Sequence, residues 1–140
     1  MSQKKVLIVD DSKVARRSIS ILLEKQGLTV LALDNIEDFF TIPDRYSDVS
    51  LMLLDIDLPG MDGLTALEYI HKLPSVNHIP VIIISGHSDI EIVKKAVSLN
   101  VIDYVVKPYM PHKLLAKIEK VLNPPEITTE VTEDPVIVAN

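Results

Sequence analysis

The chain predicts an α/β fold, with one parallel β-sheet covered by helices on both faces. Three observations lead there. Short apolar runs alternate with longer amphipathic stretches along all but the end of the 140 residues. The runs at 6–9, 51–54 and 81–84 are continuously apolar, as strands buried on both sides must be. Polar residues able to do chemistry follow four of the five predicted strands, and in an open parallel sheet those C-terminal strand ends share one edge.

Taken in order, strands are expected at 6–9, 29–33, 51–54, 81–84 and 104–106. A helix over 12–26 joins the first two, with Ala15, Ile19, Leu22 and Leu23 facing inward. Asp11 or Ser12 can cap its start and Gly27 can close it. The second crossover is the weakest signal: 35–40 predicts a short helix, Pro43 interrupts it, and 44–50 reads as loop. A helix over 63–73 buries Leu64, Leu67 and Ile70 and stops before Pro74. Another over 88–99 is capped by Ser88 or Asp89 and buries Ile92, Val93, Ala96 and Val97. Asn100 then stands where a left-handed residue often ends a helix. The last helix begins at Pro111 and presents Leu114, Leu115, Ile118, Val121 and Leu122. Five strands alternating with five helical segments imply right-handed crossovers.

Composition narrows the class. Apolar residues reach 47% but aromatics only 4%, so the core is aliphatic, and the length suits one domain. With no cysteine, neither a disulfide framework nor a thiolate metal site is available. No apolar run has signal-peptide or membrane-spanning length, so a soluble cytoplasmic protein is expected. The net charge is -6, and the stretch 123–140 supplies four of those negative charges through Glu126, Glu130, Glu133 and Asp134. No basic stripe interleaved with aromatics appears, which argues against direct nucleic-acid binding. Residues 1–122 therefore read as the domain, and 123–140, opened by Asn123-Pro124-Pro125, as an acidic disordered tail or interdomain linker.

The residues at the shared edge permit a specific chemistry. Asp10-Asp11 follow the first strand, Asp55 the third, Ser85-Gly86 the fourth and Lys107-Pro108 the fifth. Three neighbouring carboxylates repel one another unless a cation is present. Mg2+ suits them, since it binds through one or two carboxylates, waters and a phosphate rather than a complete protein cage. Lys107 can pair with Asp55 at rest and with a phosphoryl oxygen afterwards. The Ser85 hydroxyl and the Gly86 N–H can each approach an anion. Together they would neutralise a phosphoryl group in transfer to a carboxylate nucleophile. Taken singly, each signal is an ordinary cap or turn; their order at four strand ends is what carries the reading.

These stretches, Val9-Asp10-Asp11, Leu54-Asp55-Ile56-Asp57-Leu58-Pro59-Gly60-Met61-Asp62-Gly63, Ile84-Ser85-Gly86 and Asp103-Tyr104-Val105-Val106-Lys107-Pro108-Tyr109, resemble the receiver domain of two-component response regulators, over about residues 4–122. The resemblance implies a flavodoxin-like, doubly wound five-stranded sheet of order 2-1-3-4-5. It implies that Asp55 accepts a phosphoryl group from a sensor histidine kinase or phosphotransfer protein. Mg2+ would be held by Asp11 and Asp55, by the backbone carbonyl of Asp57, and by Asp10 mainly through water. Lys107 would contact the phosphate, its bond to Pro108 being cis. Ser85 and Tyr104 would form the switch pair, acting on a surface made by the fourth helix, fifth strand and fifth helix that meets an output domain or protein. Such a domain is not an enzyme but a phosphoacceptor that assists its own phosphorylation and dephosphorylation.

Departures from the family pattern are few. Asn100-Val101 replaces the common Gly-Ala. His87 lies at a position that influences phosphoryl lifetime in the family, so it is expected to affect dephosphorylation rather than phosphorylation. Lys113 stands where winged-helix transcription factors carry an acidic residue, which weakens the case for their dimer mode while leaving a homodimer open. His71, His78 and His112 read as solvated. Two rival functions stand beside the receiver reading. Asp55-Ile56-Asp57 imitates the nucleophile motif of haloacid-dehalogenase-type phosphatases, but those place it after the first strand of a larger protein. A receiver-like scaffold without phosphotransfer is opposed by the intact Asp10, Asp11, Asp55, Ser85 and Lys107.

Overall fold

The computed structural model of the protein describes residues 3–124. Five parallel strands, β1 (Lys5–Val9), β2 (Thr29–Leu33), β3 (Leu51–Asp55), β4 (Val81–Ser85) and β5 (Asp103–Val106), form one sheet of order β2-β1-β3-β4-β5. Five helices connect and flank them: α1 (Lys13–Glu24), α2 (Glu37–Thr41), α3 (Gly63–Ile70), α4 (Ile90–Ser98) and α5 (Pro111–Leu122). The predicted strand order and helix number are both found. The stretch 125–140, most of the expected tail or linker, lies outside the described residues.

Side-chain alternation divides the core into two layers. Leu7, Val9, Met52, Leu54, Val81 and Ile83 face one side, where they meet Phe39 of α2, Leu67 and Ile70 of α3, and Ala96 of α4. Val6, Ile8, Leu51, Leu53, Ile82 and Ile84 face the other, against Ile19 and Leu23 of α1 and Leu114, Ile118 and Leu122 of α5. The central strands β1, β3 and β4 are buried almost throughout, whereas the edge strands β2 and β5 are only partly covered. That is why the continuous apolar runs belong to the three central strands.

Local chemistry sets the ends of the elements. The Ser12 hydroxyl accepts from the Ala15 N–H and caps α1, and Asp62 caps α3 through the Thr65 N–H. Asn100 has φ 62°, the left-handed conformation expected of it after α4. Gly63 is required by close packing, since a Cβ there would lie 2.7 Å from Ile56 Cα.

Two expectations need correction. The segment after α2 is not plain loop, because Pro43–Tyr46 forms a 3-10 turn that buries Tyr46 against Phe39, their rings stacked at 5.0 Å. Val97 is not in the α4 stripe but 62% exposed: of the four residues expected there Ala96 is buried and Ile92 and Val93 are partly buried, so the covered arc is narrower than predicted and leaves Val97 outside it.

Candidate functional site

Strand register brings the polar groups together. β1, β3 and β4 lie side by side with Val9 opposite Leu54 and Asp55 opposite Ile84, while Ser85 pairs with Val106 of β5. The residues that end these strands therefore emerge along one edge. Asp10, Asp11 and Asp55 each offer a carboxylate oxygen within 4.8 Å of the others. Asp10 and Asp55 are each only 2% exposed, whereas Asp11 faces solvent. The cluster is thus a cup with two buried walls and one open rim.

Each buried carboxylate is held in place. Asp55 Oδ1 accepts the Asp57 N–H at 2.8 Å, and its Oδ2 accepts from Lys107 Nζ at 2.9 Å. Asp10 Oδ1 accepts the Ser12 N–H at 2.8 Å, and its Oδ2 lies 3.5 Å from the same ammonium. Burial pushes the Asp55 carboxyl above the ordinary carboxylate range; the Asp57 N–H and Lys107 oppose that shift, and the Asp10 charge adds to it. Burial alone would lower the Lys107 pKa, but its hydrogen bond and attraction to Asp55, with help from Asp10, raise it. The peptide bond from Lys107 to Pro108 is cis.

Such a set fits a hard divalent cation. One ammonium reaches two of the three carboxylates, and burial disfavours the ionised form of Asp55. A cation ligated by oxygens would offset that charge, and the exposed rim at Asp11 leaves room for water and an incoming phosphate.

The other predicted residues adjoin the cup. Ser85 is fully buried, and its hydroxyl donates to Asp57 Oδ2 at 3.1 Å. The Gly86 N–H reaches the same oxygen at 3.1 Å, and His87 Nε2 lies 3.0 Å from Asp57 Oδ1. The Tyr104 hydroxyl donates to the His87 carbonyl at 2.7 Å, and its ring packs against the core layer containing α4. The Asp57 carboxylate is therefore turned toward β4 and engaged there. Sequence reasoning assigned Asp57 only a backbone role and gave His87 no partner. The acid–histidine pair spans two loops, and no spacing rule reveals it.

A family model described as "Response regulator receiver domain" matches residues 6–119. The chain belongs to the response regulator receiver family. Among curated relatives of this receiver, the chemotaxis protein CheY of Treponema pallidum is 38% identical over 120 residues, covering 84% of this chain and 82% of that protein. The two-component response regulator ORR13 of Oryza sativa subsp. japonica is 32% identical over 123 residues, 88% of this chain and 98% of that protein. Nodulation protein W of Bradyrhizobium diazoefficiens is 35% identical over 113 residues, but the match spans only 47% of its length. A solved CheY-like receiver domain from Methanospirillum hungatei superposes with a TM-score of 0.78 at 30% identity, covering 87% of this chain and 95% of that one. The receiver is thus a signalling domain of two-component systems; such domains generally use Mg2+ at an acidic site, and this chain gathers Asp10, Asp11 and Asp55 into one cluster. Among the described residues, no helix is long and apolar enough to cross a membrane.

Proposed function

We propose that Asp55 is the phosphoacceptor, receiving its phosphoryl group from a phosphohistidine on a sensor histidine kinase or phosphotransfer protein in the cytoplasm. An Asp55 oxygen forms the new P–O bond as the P–N bond breaks, and the imidazole leaves with a proton taken from solvent. The observation that carries this reading is the Asp10, Asp11 and Asp55 cluster with Lys107 2.9 Å from Asp55 Oδ2. A nucleophile that is buried, already oriented by a backbone N–H and paired with a movable ammonium can accept charge without rebuilding the site.

Asp11 and Asp55, with the Asp57 carbonyl and with Asp10 through water, would hold Mg2+, which neutralises charge on the transferring group. Lys107 tracks the phosphoryl oxygens, and Ser85 and Gly86 donate to one of them. The adjacent Tyr104 links this event to the face formed by α4, β5 and α5. Ile90, Val97, Ile102 and Val106 lie exposed there, a surface suited to an output domain or partner protein. In this reading the receiver unit runs to residue 122, and the acidic stretch 123–140 is either a tail or a linker to an output domain. It acts as a switch and not as an enzyme on external substrates.

The test is incubation of the full chain with Mg2+ and a small acyl phosphate, followed by intact-mass measurement. One phosphoryl group should be gained by the native chain and none by Asp55→Asn. Equal incorporation by the variant would refute the assignment. Steady turnover of nitrophenyl phosphate would favour the phosphatase alternative instead.

A further inference from the structure

The donors that this reading assigns to a phosphoryl oxygen already hold an anion. Asp57 Oδ2 takes the Ser85 hydroxyl and the Gly86 N–H, both at 3.1 Å, while Asp57 Oδ1 rests 3.0 Å from His87 Nε2. The His87 N–H donates to Ser85 Oγ at 2.9 Å, and the His87 carbonyl accepts the Tyr104 hydroxyl at 2.7 Å. These groups close a small network around one carboxylate. A serine hydroxyl has a single proton to donate, so it cannot serve Asp57 and a phosphoryl oxygen fully at once.

We propose that the Asp57 carboxylate is a built-in competitor of the phosphoryl group. It occupies the Ser85 and Gly86 donors while Asp55 is unmodified, braced by His87, and it must give them up when Asp55 carries phosphate. Charge points the same way, because two anions brought to one pair of donors repel each other, although solvent at the exposed Asp57 and His87 screens part of that repulsion. Release of Asp57 frees the imidazole of His87, and the backbone carbonyl of the same residue anchors Tyr104, so the exchange reaches the switch tyrosine through one residue. Asp57 is a positioning residue in this scheme: its carboxylate acts on the donors and not on the reacting atoms. The inference rests on Asp55 being the phosphoacceptor.

Beryllofluoride, a phosphoryl mimic, tests both statements separately when titrated at saturating Mg2+ into the full chain. Asp57→Ala should bind it about tenfold more tightly, as expected for removal of a charge-assisted competitor. Asp57→Asn, which keeps the shape but loses the charge, should fall between Asp57→Ala and the native chain. His87→Ala gives the sharper contrast. Simple electrostatics expects weaker anion binding when a donor is lost, whereas release of the brace expects binding about threefold tighter. The Gly86 amide resonance should differ between the free native chain and free Asp57→Ala, and the two should converge once beryllofluoride is bound. Unchanged or weaker binding by Asp57→Ala, weaker binding by His87→Ala, or a Gly86 amide indifferent to Asp57 would overturn the competitor. Failure of the native chain to bind beryllofluoride would overturn the phosphoacceptor reading, and the competitor with it.

Discussion

Lys107 Nζ lies 2.9 Å from Asp55 Oδ2, a pairing that joins the end of β5 to the end of β3 across the mouth of the cup. Asp10 Oδ2 is 3.5 Å from the same nitrogen, so the ammonium balances two buried acids. Lys107→Met would leave both without it. Removing one member of a buried pair is costly, but Lys107 is 31% exposed and solvent softens the loss, so a destabilisation of about 2 kcal/mol is expected. Mg2+ should restore most of that. Chemical denaturation with and without the ion would check it, the larger Mg2+ effect belonging to the variant.

Asp55→Asn should leave the metal-free protein as stable as the native chain at neutral pH, or more stable by about 1 kcal/mol, while abolishing phosphoryl uptake. Burial raises the Asp55 pKa, so the folded protein holds that proton more tightly than the unfolded chain does. The native chain therefore loses stability from this group as pH rises from the ordinary carboxylate range through the raised value, and regains it on acidification. The asparagine variant lacks this contribution. Its advantage should shrink as the pH is lowered through that window, and a constant difference in melting temperature would contradict the assignment.

The sheet and the acidic cup were legible because each rests on short, contiguous signals. An apolar run followed directly by Asp, Ser or Lys fixes both the strand and the place where its side chain emerges, and parallel pairing then gathers those ends. Residues without such contiguity were not legible. Tyr46 is buried because a 3-10 turn brings it onto Phe39, and Pro43 read only as an interruption. Val97 satisfied the helical period but lies outside the core, since periodicity sets a stripe's spacing and not how wide an arc of the helix its neighbours cover. The link from Asp57 to His87 depends on how two loops face each other across β3 and β4. Local pattern has no access to that.

Asp62 offers a test of helix capping beside the site. Its carboxylate accepts from the Thr65 N–H and the Thr65 hydroxyl, both at 3.0 Å, at the start of α3. Partial burial works against its ionisation, but those two hydrogen bonds and one from the Leu64 backbone outweigh it and lower its pKa. Asp62→Ala should cost about 1 kcal/mol at neutral pH. A depressed carboxyl contributes stability above its unfolded value and loses it as pH falls through the folded one, so the gap should close in acid. Urea denaturation at several pH values would reveal a gap that does not close.

His87→Ala should lengthen the life of the acyl phosphate several-fold while leaving its formation from a small donor nearly unchanged. His87 Nε2 holds Asp57 Oδ1 at 3.0 Å, and without it the Asp57 carboxylate is no longer braced against Ser85 and Gly86. The phosphoryl group then keeps those donors with less competition, and water must attack the phosphorus of a better-stabilised acyl phosphate. Formation is governed by Asp55, Lys107 and the metal ligands, and the His87 side chain reaches only the Asp57 carboxylate, not its carbonyl, among the hydrogen bonds and ion pairs of the described residues. Following the decay of phosphorylated protein by intact mass, after removal of the donor, measures the lifetime directly. A decay rate equal to that of the native chain would show that the imidazole has no part in dephosphorylation.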